Sequence, residues 1–108
     1  MTTFDEREKA FEQKFFHDEE LRFRATARRN KLFGIWAAEK MGLSGSEAED
    51  YAKTVVKADL QEAGDEDVLR KVDGDLKAKG ANVSDTELRT KLVDMMVEAV
   101  KQIEAERK

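Results

Sequence analysis

Proline is absent from the whole 108-residue sequence, and this feature narrows the possible folds more than any other. A proline inside a helix removes a backbone hydrogen bond and clashes with the preceding turn, so its absence leaves long helices uninterrupted. Alanine, leucine, glutamate, lysine and arginine, which have high helix propensity, are abundant. The 40% hydrophobic content is enough to give each helix one apolar stripe. We therefore predict an all-α fold.

Capping signals and glycines divide the sequence into four predicted helices. The first is predicted from Thr3 to Met41, before Gly42, and would contain about 38 residues and measure roughly 57 Å. Because short connections make consecutive helices antiparallel neighbours, we predict a four-helix antiparallel bundle. Its long first helix should project or fray at its N-terminal part. The remaining helices are predicted to begin at Ser46, at the acidic run after Gly64 and at Ser84, with stops at Gly64 and Gly80.

Apolar residues at three- and four-residue spacing mark the predicted core face of each helix. Met95 and Met96 could instead form an adaptable binding surface, but their spacing favours a place in the core. Gly74 lies inside the third helix and should weaken it by up to about 1 kcal/mol. The predicted core positions are Ala25, Leu32, Phe33 and Trp36, then Ala48, Tyr51, Ala52, Val55 and Val56, then Val68, Leu69, Val72 and Leu76, and finally Leu88, Leu92, Met95, Met96, Ala99 and Ile103.

The net charge and amino-acid composition of the chain exclude several classes of protein. A formal net charge of −4 does not indicate a protein that binds polyanions with its whole surface. The absence of cysteine excludes disulfides and thiolate metal sites. No apolar run approaches the roughly 20 residues that span a bilayer, and the N-terminus lacks the layout of a signal peptide. We expect a soluble, cytoplasmic protein with no direct membrane insertion.

The residue pattern predicts no catalytic, metal or cofactor site. His17 is the only histidine, and it can be read as a surface side chain or as a pH-sensitive contact. An EF-hand loop counted from Asp65 would need glycine and glutamate at its sixth and twelfth positions, where Arg70 and Leu76 stand. No phosphate-binding glycine motif is present. We therefore do not expect an enzyme.

A basic cluster without intervening acids lies in the second half of the predicted first helix. On a helix, two of its arginines share one face and two share another. The cluster can be a solvated helix face, or it can bind phosphate, a nucleotide or an acidic partner. Nucleic acid is not predicted, because the patch is short and the domain is acidic. The members of the cluster are Arg22, Arg24, Arg28, Arg29 and Lys31.

Aromatic residues in the first 19 residues raise the question of what they contact. On a helix Phe4, Phe11 and Phe15 fall within about 40° of one another. Charges at Asp18 and Arg22 separate this face from the apolar stripe of the predicted bundle. An amphipathic helix with no groove of its own is a candidate for a partner's groove. Folding back on the bundle and dimerisation are the alternatives, whereas acidic residues disfavour a membrane surface.

These observations predict two parts of the chain. Residues 1–19 form an N-terminal segment that is mobile when free, and residues 20–108 form the four-helix bundle. A short isolated helix is marginal in water, so the segment should order only on its partner.

Two strings resemble the zeta-subunit family of bacterial F-type ATP synthases, small proteins that inhibit ATP hydrolysis. One comprises Thr3-Phe4, Arg7-Glu8, Ala10, Lys14-Phe15, His17-Asp18 and Glu20, leading into Ala27–Leu32, Gly34, Trp36 and Ala37–Glu39. The other is Gly64–Lys71. The resemblance covers nearly the whole chain.

The resemblance implies a four-helix bundle whose N-terminal region inhibits the ATPase. This region would enter the interface between a catalytic and a non-catalytic subunit of the head, with the rotor as a further contact, and block rotation in the hydrolysis direction. The free protein should be a monomer, associated peripherally with the inner membrane through the ATP synthase. Phe4 and Phe15 would be apolar anchors, Phe11 is added from its periodicity, and the polar contacts would be Arg7, Glu8, Lys14, His17 and Asp18.

Two alternatives from other classes remain at this point. The first is a helical bundle that senses a small ligand or nucleotide through the basic cluster of residues 22–31. The second is a plain dimerisation domain.

Overall fold

Four α-helices make up the computed structural model, which describes residues 18–61 and 64–106. The helices are α1 (Glu19–Lys40), α2 (Gly45–Gln61), α3 (Asp65–Ala78) and α4 (Asp85–Glu106). The part of the chain that the structure describes contains no strand. The predicted all-α, four-helix bundle is therefore confirmed.

The start of α1 differs from the prediction. Asp18 has an extended backbone with φ −118° and ψ 110°, and its Oδ1 accepts a hydrogen bond of 3.1 Å from the amide of Leu21. Aspartate satisfies an otherwise unpaired amide at a helix start, so it caps α1 at this point. The prediction of one continuous helix through Asp18 is therefore wrong. The observed helix has 22 residues, about 33 Å, and projection or fraying of the preceding segment concerns residues 1–17, outside the described structure.

Two glycines end α1 and α3 as the sequence predicts. Gly42 and Gly80 have φ of +84° and +75°, in the left-handed region that glycine enters without a Cβ clash. At Gly42 the chain closes with hydrogen bonds from Gly42 to Glu39 and from Leu43 to Ala38. Gly80 and the residue after it repeat this pattern at the end of α3. These paired bonds satisfy the last carbonyls of each helix.

The other helix ends lie close to their predicted positions. Ser84 accepts a 3.1 Å hydrogen bond from the amide of Glu87 and so caps α4. Helix α2 begins at Gly45, one residue before the predicted Ser46. Its described part extends to Gln61, and Gly64, the predicted stop of this helix, is the N-cap of α3.

The core consists of two clusters that follow the predicted stripes. The larger cluster lies between all four helices and includes Phe33, Val55, Val72 and Leu88. The smaller one joins the start of α1 to the end of α4 and consists of Leu21, Ala25, Val100 and Ile103. Met95 packs against the larger cluster and Met96 against the smaller. The interpretation of both methionines as core residues is therefore confirmed.

Helices α1 and α2 pack most closely, and they run antiparallel. Asn30 of α1 bonds Asp59 near the end of α2, while Gly34 lies against Ala52 further back along α2. A Cβ on Gly34 would lie only 2.7 Å from the Ala52 Cα. Glycine at this position therefore permits the close approach of the two backbones.

Candidate partner-binding site and arginine cluster

Of the predicted partner contacts, the structure describes only Asp18. Its carboxylate is used to cap α1, as described above. The same acid can contact a partner only with an oxygen that the cap leaves available. The remaining predicted contacts lie outside the described residues: Phe4, Arg7, Glu8, Phe11, Lys14, Phe15 and His17.

Two arginines of the basic cluster are directed at the end of α4. Arg28 donates to Glu106 at 2.7 Å and to Gln102 at 2.8 Å, and Arg24 lies 3.7 Å from the same Glu106. The hydrogen bond to Glu106 is the main reason that the pKa of Arg28 is raised. The same bond lowers the pKa of the Glu106 carboxyl. These cations therefore tie α1 to α4.

Arg29 is buried, with only 5% of its surface exposed. Its guanidinium donates two hydrogen bonds to Asn30 Oδ1 and lies 3.0 Å from Asp65 Oδ1. Asn30, also buried, donates to Asp59 at 3.1 Å. Asp59 in turn accepts from the amide of Gly64 at 3.4 Å. Because a buried charge is stable only with such partners, this network fixes the end of α2 and the start of α3 against α1.

The basic cluster is therefore divided among three environments. Arg22 and Lys31 are exposed, and Arg22 lies 3.9 Å from Glu19. Arg24 and Arg28 share Glu106, whereas Arg29 faces the protein interior. Phosphate or nucleotide binding by the cluster stays a prediction, and a ligand would have to compete with Glu106 for Arg24 and Arg28.

Acidic residues at the start of α3 serve as ion-pair partners within the bundle. Glu66 accepts two hydrogen bonds from Arg89 of α4, which also bonds Asp85, and Asp67 pairs with Arg70. Residues 18–61 and 64–106 contain no group of three ligands that could hold a metal ion. In the same part of the chain, no helix is long and apolar enough to cross a membrane.

An apolar groove that the sequence did not reveal lies between α1 and α2. Its side chains are Phe23, Thr26, Ala27, Asn30, Val56, Asp59 and Leu60. Phe23 and Leu60 are large apolar residues with 61% and 62% of their surface exposed. In the sequence, Phe23 lies off the apolar stripe of α1, and this position indicates an aromatic residue that faces solvent. We refer to this feature as the Phe23–Leu60 groove.

The fold and these sites define a class of protein. It is a small helical bundle in which an N-terminal segment precedes a first helix that has its own cap. A model of the family described as ATPase inhibitor subunit zeta matches residues 1–102. The chain belongs to this family. An NMR solution structure of a protein 51% identical in sequence superposes with a TM-score of 0.71, covering 80% of this chain and 98% of that chain. No curated protein matches the sequence.

The family assignment confirms the resemblance seen in the sequence. The family is described as an ATPase inhibitor, in agreement with a regulatory role. The match begins at the first residue and so includes the predicted inhibitory segment.

Proposed function

We propose that this protein inhibits ATP hydrolysis by the catalytic head of the F-type ATP synthase. Residues 1–19 enter the interface between a catalytic and a non-catalytic subunit and block rotation in the hydrolysis direction, with the rotor as a further contact. The protein is then cytoplasmic and associated with the inner membrane only through the ATP synthase. The observation that carries the proposal is the family match over residues 1–102.

The organisation of the bundle supports a separate role for the N-terminal segment. The two described core clusters are built from residues between Leu21 and Ile103. Helix α1 begins with its own cap at Asp18, so it does not need a preceding helical turn. Burial of Phe4, Phe11 and Phe15 in a partner would contribute roughly 5–9 kcal/mol before ordering costs.

The decisive experiment compares the full chain with a variant lacking residues 1–17 in an ATPase assay on the matching catalytic head. The full chain should inhibit and the shortened chain should not. Equal inhibition by both, or by neither, would overturn the proposal.

A finer test replaces Phe4, Phe11 and Phe15 by alanine in the full chain. Inhibitory affinity should fall at least about 100-fold, since this corresponds to only about 2.7 kcal/mol of the expected apolar contribution. The matched control changes Glu6, Lys9 and Gln13, which lie on the opposite helical face, and should keep most of the inhibition. If the control loses as much activity as the phenylalanine variant, the apolar face is not the recognition element.

A further inference from the structure

The Phe23–Leu60 groove is a surface feature and not a ligand pocket. Its hollow holds about 30 Å³, room for about one or two water molecules, whereas small-molecule pockets begin at about 300 Å³. Phe23 and Leu60 themselves are the two most exposed large apolar side chains among the described residues. Two such side chains on neighbouring helices favour a contact with another macromolecule over a bound metabolite.

This surface lies at the end of the bundle where the N-terminal segment joins it. Phe23 comes five residues after the cap Asp18, about 7.5 Å along α1. Leu60 lies in the last described turn of α2. Because α2 runs antiparallel to α1, it ends beside the start of α1. The attachment point of the segment and the two exposed apolar residues therefore share one end of the molecule.

The start of α1 is held in the core of the bundle. Leu21 and Ala25, in its first two turns, are buried and pack against Val100 and Ile103 of α4. Asp18 therefore keeps a fixed position relative to the groove. Whatever holds the preceding chain also determines what this end of the bundle faces.

The sequence provides no spacer between the proposed inhibitory segment and this surface. Residues 18–23 contain no glycine, serine or proline, and all of them except Asp18 are helical. Phe23 follows residue 19, the last of the proposed segment, by four positions, about 6 Å of helix. When the segment is inserted in the catalytic head, this end of the bundle must therefore lie against the surface around the entrance.

We infer that Phe23 and Leu60 form a second contact with the catalytic head, on an apolar patch of the subunit surface that borders the entrance for residues 1–19. The inference rests on the proposed function and extends it from the N-terminal segment to the bundle. The segment enters the interface, and the groove adds affinity by burying two side chains that the free protein leaves in water.

The charges around the groove favour an apolar protein surface over a polyanion. Glu19 and Glu20 are exposed in the first turn of α1, and Lys57 is exposed on α2. Arg24 already lies 3.7 Å from Glu106 of α4. The rim therefore carries both signs of charge, whereas anionic lipid or a nucleic acid requires an excess of cations. An apolar centre with a polar rim is the usual composition of a protein interface.

Photo-crosslinking with the complete protein tests the contact directly. One residue at a time is replaced by p-benzoylphenylalanine: Phe11 in the segment, Phe23 or Leu60 at the groove, and Val93 as an exposed apolar control. Val93 lies about 10 Å along α4 from Val100, away from the start of α1. With the matching catalytic head, positions 11, 23 and 60 should crosslink to a catalytic or non-catalytic subunit, and position 93 should not.

The pattern of crosslinks separates this inference from the proposed function. Crosslinks from position 11 with none from positions 23 and 60 would support insertion and overturn the second contact. No crosslink from any of the three positions would contradict the proposed function, and the second contact with it. Crosslinks from position 23 or 60 to a second copy of the protein instead of the head, or equal crosslinking from position 93, would also overturn the inference.

Uncharged substitutions measure what the contact contributes to inhibition. Phe23→Gln/Leu60→Gln removes apolar surface without adding charge, and glutamine has good helix propensity. The concentration that gives half-inhibition should rise about tenfold or more, since even partial burial of two large apolar side chains has an effect of this size. Val93→Gln is the matched control and should inhibit like the unmodified chain.

The stability of the variants is checked by thermal unfolding. All three replaced side chains are exposed, so the melting temperature should hardly change. A folded double variant that inhibits as strongly as the unmodified chain would overturn the inference. The crosslinking test at position 23 replaces one aromatic side chain by another, and so it does not depend on the stability of the double variant.

Discussion

At the scale of single residues, half-buried polar groups connect distant parts of the chain. Tyr51 donates a 2.7 Å hydrogen bond to Asp75, which also accepts from Lys71 at 3.0 Å. The ammonium of Lys71 lies 5.3 Å from the centre of the Tyr51 ring. Burial, and then the hydrogen bond to Asp75, raise the pKa of Tyr51 far above its usual value. These contacts join α2 to α3 only while the phenol keeps its proton.

Tyr51 should therefore resist ionisation until the protein unfolds. Its folded pKa lies above the unfolded value of about 10, so its contribution to stability is present below pH ~10 and is lost as pH rises above this. Tyr51 is the single tyrosine, so phenolate absorbance reports it alone. The absorbance change should coincide with the loss of helical circular dichroism. Phenolate appearing near pH 10 in a protein that remains helical would contradict the prediction.

At the scale of the helices, two glycines inside helices have opposite roles. Gly34 of α1 touches the backbone of α2, where a Cβ would meet Ala52 Cα at 2.7 Å. Gly74 of α3 has nothing within 4 Å of a Cβ position. Helix propensity alone treats both glycines as weaknesses of about 1 kcal/mol. The packing decides which of them the fold requires.

Gly34→Ala should destabilise the protein by about 1–3 kcal/mol despite its better helix propensity, because α1 and α2 would have to separate. Gly74→Ala is the matched control and should stabilise by about 0.4–1 kcal/mol. Urea unfolding of both variants measures the two changes. If Gly34→Ala were as stable as Gly74→Ala, the close approach of the helices would be incorrect.

At the scale of the whole molecule, exposed ion pairs close the bundle at two places. Glu106 at the end of α4 receives Arg28 of α1, and Glu66 of α3 receives Arg89 of α4. The hydrogen bond from the arginine is the largest cause of the lowered pKa of each glutamate. Both pairs are solvent-exposed, so each is individually weak and salt-sensitive.

Lowering the pH should weaken both of these inter-helix ion pairs together. The pKa of each glutamate is lower in the folded protein than in the unfolded chain, where it is about 4.3. Each carboxylate therefore stabilises the fold above pH ~4.3, and this contribution is lost as the pH falls through the folded pKa. The urea midpoint should therefore decline as pH falls below about 4.3, more steeply at low salt. The double variant Glu66→Gln/Glu106→Gln should show a shallower decline.

The matched control for acid unfolding is Glu39→Gln/Glu49→Gln. These exposed glutamates make no inter-helix ion pair shown among the described residues. The control should keep the acid dependence of the unmodified chain. If both double variants followed the same pH curve, the two closures would not be the source of the acid sensitivity.

Features that depend on neighbours along the chain could be predicted from the sequence. Gly42, Gly80 and Ser84 end or begin helices through hydrogen bonds that span only three to five residues. The prediction was wrong at Asp18, because its capping bond to Leu21 competes with a helical sequence pattern that continues on both sides. The family resemblance of the N-terminal string indicated which partner the candidate site would bind. Helical periodicity alone did not connect the site to any particular partner.

The sequence by itself determined the all-α class, most helix ends and the apolar stripes, because three- and four-residue spacing and capping chemistry are local. Only the tertiary structure decided which charges are used internally and which surfaces remain open. Arg29 is buried because Asp65 and Asn30 surround its charge, and Arg28 meets Gln102 across 74 residues of sequence. The Phe23–Leu60 groove likewise exists only because α1 and α2 lie side by side. Such pairings depend on how the helices cross, and no local pattern encodes that geometry.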